Sequence, residues 1–165
     1  MKAASMWQPL FERFLLTTTM LDAELELVEM GPQAVPILKS LMNGEAKNAF
    51  GVPYRELGSP LHCALETARR LGEAAKPLES LLANEVGNGH STAAMALGSL
   101  GTLNQKSIES LANALDGNIE LAFESAAALS RCRELGNEIV LSKIRQSERA
   151  ALVVRKVGKF LDSRV

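Results

Sequence analysis

The side chains able to do chemistry in this sequence are few and scattered: His62 beside Cys63, then His90, then Cys132. A nucleophilic thiol needs a base within hydrogen-bond reach and a third group to orient that base. No such ordered set is marked here. A structural or catalytic metal needs three or four ligands, and neither a CxxC nor an HxxxH spacing occurs. Gly87-Asn88-Gly89 lacks the preceding strand of a phosphate-binding loop and reads as a turn. We therefore expect no catalytic residue, no metal and no cofactor. Cys63 and Cys132 lie in alanine-rich stretches, where a thiol serves as a small core residue. His62 and His90 fall near the starts of equivalent helices, as polar helix-entry residues or as neighbours sharing a ligand.

Residues 43–60 offer a different chemistry, that of contact. Gly44, Gly51, Pro53, Gly58 and Pro60 bar a regular helix there, and the segment is longer than ordinary connectors. It also holds Phe50, Tyr54 and Arg55, residue types that dominate the energetics of protein interfaces. Partner binding is the expectation for these three. Internal packing of the aromatics and a mobile loop are the alternatives.

The elements that must carry this loop are helical. Aromatic residues make up 4% of the 165 residues, β-branched runs are scarce, and Ala, Leu, Glu and Lys abound. The chain repeats itself. Lys76-Pro77-Leu78-Glu79-Ser80-Leu81-Leu82 returns thirty residues later as Lys106-Ser107-Ile108-Glu109-Ser110-Leu111-Ala112. Upstream, Ala64 to Gly72 returns twenty-nine residues later as Ala93 to Gly101. Weaker copies begin at Leu27 and at Ser125, and Ala150 to Gly158 repeats a first helix alone. Small residues such as Ala68, Ala94 and Ala127 let neighbouring helix pairs approach closely. Gly31, Gly72 and Gly101 end first helices, Pro36 and Pro77 open second helices, and Ser59-Pro60 is read as a side-chain cap followed by an N1 proline.

Leu71-Gly72, Ala75, Pro77-Leu78, Leu81-Leu82, Ala93-Ala94, Leu97-Gly98 and Leu100-Gly101 together resemble HEAT repeats, closest to the short bacterial kind also found in phycobilisome-lyase-type proteins. The resemblance covers roughly residues 22 to 160. It implies an all-α superhelical solenoid of about four and a half helical hairpins with an N-terminal capping helix, about nine helices in all. The expected division is a cap over 1–20, a first repeat at 22–43, the inserted loop at 43–60, further repeats at 61–86, 90–116 and 118–146, and a half repeat at 148–161. Such a fold does not fix an activity.

The resemblance also implies a concave face lined by second helices. With Leu78, Leu81 and Leu82 buried, and Ile108, Leu111, Ala112 and Leu115 in the next unit, helical geometry turns Lys76, Glu79, Ser80 and Ala83 outward, and likewise Lys106, Glu109, Ser110 and Asn113. Lys143 extends the strip. Lys76, Glu79, Lys106, Glu109, Asn113 and Lys143 join Phe50, Tyr54 and Arg55 as candidate partner-binding residues.

Charge is uneven along the chain. Lys and Arg number 5, 4 and 9 in residues 1–60, 61–130 and 131–165, against 7, 8 and 4 Asp and Glu, giving −2, −4 and +5 within a total of −1. A basic last segment after an acidic middle can steer an acidic partner or let oppositely charged repeats attract one another. The absence of an apolar stretch after Met1 and Lys2, and of any run of about 18 apolar residues, leads us to expect a cytoplasmic protein without a secretory signal. Three function classes follow. A non-enzymatic protein-binding module, in its most concrete form a small bacterial immunity protein or toxin inhibitor, leads. A bilin-lyase-like or other small-ligand protein is opposed by the scarcity of His, Tyr and Trp, and a nucleic-acid binder rests on the basic C-terminal segment alone. Nothing in the residues indicates an oligomeric state.

Overall fold

A computed structural model describes residues 6–162, and the side chains up to residue 160. Among the described residues the chain is all-helical, with ten α-helices. They are α1 (Gln8–Arg13), α2 (Met20–Met30), α3 (Val35–Met42), α4 (Ser59–Leu71), α5 (Glu79–Gly87), α6 (Ser91–Gly98), α7 (Gln105–Asn113), α8 (Ile119–Arg131), α9 (Glu138–Gln146) and α10 (Glu148–Asp162). None is long and apolar enough to cross a membrane. The chain divides into two compact units, Met1–Leu81 and Leu82–Val165, the boundary falling within α5.

In the first unit α2 packs on α4, and α3 packs on both α4 and the 3-10 segment Gly72–Leu78. Gly31 and Gly72 close α2 and α4 with nearly the same backbone, φ 60° and ψ −135° against φ 60° and ψ −132°. That region excludes a side chain, so the two positions demand glycine for one reason. The core is built on Phe11, Phe14, Leu27, Leu38, Leu41, Tyr54 and Leu65.

The expected cap helix over 1–20 is shorter than the pattern suggested. Its residues 1–5 lie outside the described residues, and α1 ends at Arg13. Thr17-Thr18-Thr19 is a poor helix former, and the Thr19 hydroxyl donates to the Arg13 carbonyl at 2.7 Å, drawing the chain into turns before α2. Ser59 is not the cap expected of it either. Gly58 stands at the N-cap of α4, and the Ser59 hydroxyl donates instead to the Phe14 carbonyl at 2.7 Å, tying α4 to the end of α1.

In the second unit α6 packs against α8, α7 against α9, and α10 against both α8 and α9. Asparagines begin three of these helices: the side chains of Asn104, Asn118 and Asn137 accept backbone N–H bonds at the starts of α7, α8 and α9. The α6–α8 contact is very close. A Cβ added to Gly98 would lie 3.0 Å from the Ala128 Cα and 3.1 Å from its Cβ.

Candidate recognition sites

In the first unit, residues 43–58 form a folded loop. An antiparallel bridge pairs Lys47 with Pro53. Between them the Gly51 N–H donates to the Asn48 carbonyl at 3.0 Å, closing a turn with Asn first and Gly last. The Asn48 side-chain oxygen accepts from the N–H groups of Phe50 at 2.9 Å and Val52 at 3.0 Å. Outside the turn, Gln8 donates to the Lys47 carbonyl at 2.7 Å, and the Arg55 guanidinium donates to the Met42 carbonyl.

The two loop aromatics have opposite fates. Tyr54 is fully buried, its ring 5.4 Å from that of Phe11, and its hydroxyl donates to Glu12 at 2.8 Å. Burial first, and that bond second, raise its pKa. Phe50 sits at the turn, 90% exposed. Tyr54 is thus an anchor, which corrects its expected place on the binding surface in favour of internal packing, while Arg55, half-buried, ties the loop to the end of α3. The loop presents Phe50.

Glu79 is also corrected. It is buried, with its carboxylate 2.6 Å from Lys76 Nζ, and does not face outward. The outward reading assumed a continuous α-helix from Lys76, but residues 72–78 turn as a 3-10 helix at three residues per turn. The buried stripe consequently runs through Ala75, Leu78, Glu79, Leu82, Ala83 and Val86. Ala83 moves inward and Leu81 partly outward.

In the second unit Lys106, Glu109 and Asn113 lie exposed on α7. Asn113 and Lys143 are brought together in a groove of about 430 Å³ between α7 and α9, lined also by Glu138, Ile139, Ser142 and Gln146. Lys143, half-buried, reaches Asp116 at 2.7 Å. Glu109 accepts from Gln105 at 3.0 Å. The groove is thus open to solvent, its walls joining apolar surface from Ala112 and Ile139 to side chains of both charges, Glu138 and Lys143.

One polar cluster was not anticipated. Glu24, on the inner face of α2, is buried and lies beside Cys63 of α4, with Arg70, Glu66 and His62 near enough to act on its charge. Burial raises the Glu24 pKa, and Arg70 opposes the rise. Burial and the neighbouring Glu24 push the Cys63 thiol up to about 12, and the thiol also lies 3.9 Å from the Phe14 carbonyl. Such a thiol stays protonated and does not act as a nucleophile at neutral pH. The signal was present in the spacing of Ala23, Glu24 and Leu27, which share one helix face. His62 and His90 are both exposed, His90 lying 3.4 Å from Glu85. Among the described residues no group of three or more His, Cys, Asp or Glu side chains is gathered to hold a metal.

No protein family, no curated protein and no solved structure matches this chain.

Proposed function

We propose that this chain is a non-enzymatic protein-binding module of HEAT-like helical hairpins, a small bacterial immunity or inhibitor-type protein that covers part of a partner. The observation that carries the reading is Phe50: a large apolar side chain left 90% exposed by a loop whose backbone is held by Asn48, Gln8 and Arg55. A bound loop normally loses conformational freedom, and one already ordered loses less, so a presented ring gains most of its burial as affinity. An exposed phenyl ring on a mobile loop would have no such advantage. The α7–α9 groove, with Asn113, Lys143 and the neighbouring Lys106 and Glu109, supplies the polar contacts that register a partner.

The test is co-expression with the product of the adjacent reading frame, followed by titration of the purified pair. Phe50→Ala is expected to weaken binding about 30-fold or more, the scale of an interface hot spot. A paired change in the groove, Asn113→Lys with Lys106→Glu, should weaken it less. Unchanged affinity in both variants would remove this assignment.

A further inference from the structure

Two helices of the chain carry exposed faces that match each other in chemistry. On α2, helical geometry gathers Leu21, Leu25, Asp22, Glu26 and Glu29 on the side away from the buried Ala23, Glu24 and Leu27. The two leucines are 49% and 41% exposed, and of the three acids Glu26 is paired with Arg13 at 2.8 Å. On α10, the exposed surface beside and opposite the buried Ala150, Val153 and Val157 carries Arg149, Leu152, Arg155, Lys156 and Lys159. Leu152 is 45% exposed at the middle of that face, and Glu148 in the first turn is its one acid among the described side chains.

We propose that these faces dock on one another between two copies of the chain, α2 of one copy against α10 of the next. Leucine would meet leucine at the centre, and the carboxylates of Asp22 and Glu29 would meet the cations of α10. A nucleic acid would satisfy the α10 cations but leave the acidic, leucine-bearing face of α2 unexplained. A second copy accounts for both. It also accounts for the charge asymmetry, −2 in residues 1–60 and +5 in residues 131–165. An eleven-residue helix is about 16 Å long, and a single helix face of that length buries less than the roughly 800 Å² per partner of standard complexes. The association is therefore weak and salt-dependent. It uses neither Phe50 nor the α7–α9 groove and stands independently of the function proposed above.

Sedimentation velocity of the full chain over a wide concentration range reads this directly. Wild type is expected to show concentration-dependent assembly at low salt that high salt reverses. Asp22→Lys with Glu29→Lys, and separately Arg149→Glu with Lys156→Glu, should each weaken assembly at least about tenfold. An equimolar mixture of the two double variants should recover it, because each retains one native face for the other. All four positions are exposed, and circular dichroism checks that the variants fold; Asp22→Asn with Glu29→Gln is the milder substitute if the reversal does not. Wild type monomeric at every concentration, assembly indifferent to these changes, or a mixture that fails to reassociate would each overturn the proposal. Retention of duplex DNA by the α10 face without self-association would do so too.

Discussion

Around Tyr54 the first unit fills its interior with rings, whereas at Gly98 the second brings two helices so close that a methyl group has no room. Phe11 stands 5.4 Å from Tyr54 and 6.2 Å from Phe14, and the loop that delivers Tyr54 is itself clamped by side-chain hydrogen bonds. The α6–α8 seam instead uses Ala93, Ala94, Ala96, Ala127 and Ala128, all buried. The lesson concerns what each style of packing leaves over. A core made of large residues brought in by a loop can hold another part of that loop out in water, and the exposure of Phe50 depends on the burial of Tyr54. A seam of alanines needs no such loop, and the second unit presents polar side chains from α7 and α9 beside single exposed apolar ones, Ile119 and Leu152.

Substitutions can break this contrast in order of effect. Tyr54→Ala should be the most severe, costing about 3–5 kcal/mol in thermal or denaturant unfolding, because the ring is fully buried and the loop hangs on it. It should also abolish presentation of Phe50, read as loss of partner binding in protein that is still folded at low temperature. Gly98→Ala comes next, at about 1–2 kcal/mol: overpacking against Ala128 is partly offset by the better helix propensity of alanine. Ser125→Ala has the opposite sign. The Ser125 hydroxyl is buried in α8 without a hydrogen-bond partner, so its removal should raise stability by up to about 1 kcal/mol in the same unfolding measurement.

The smallest effect is on pH dependence. Glu24 has a raised pKa in the folded chain, so the folded state holds its proton to higher pH than the unfolded state does. The corresponding stability is complete below about pH 4.5, the ordinary value, and is lost as pH rises through the raised one. Glu24→Gln should flatten that decline and raise the melting temperature slightly at neutral pH, as followed by melts across a pH series. A steeper decline in the variant would mean that Arg70, and not burial, dominates the site.

Much of the helical organisation was legible in the sequence. The thirty-residue recurrence of Lys76–Leu82 and the glycines at Gly31 and Gly72 mark where helices turn, because helix termination depends on local backbone chemistry. What failed depended on phase. A proline at Pro77 opening an α-helix would turn Glu79 outward, but Pro77 sits in a 3-10 segment that rotates the following stripe. The candidate sites were half legible. Phe50 and Tyr54 are four residues apart in one loop of uniform composition, and only the long-range neighbours Phe11 and Glu12 decide which ring goes inside. Asn48 could have been found, since an asparagine three residues before a glycine is a turn signature. The groove at Asn113 and Lys143 joins residues from different helices, a proximity that no local pattern encodes.

The most direct test of the account is the affinity of the co-expressed partner for wild type and for Phe50→Ala, measured beside the melting temperatures of both. The account predicts a loss of about 30-fold or more in affinity with stability unchanged within about 0.5 kcal/mol, since the ring contributes nothing to the core. Equal affinities, or a loss of binding that merely follows a loss of folding, would contradict it.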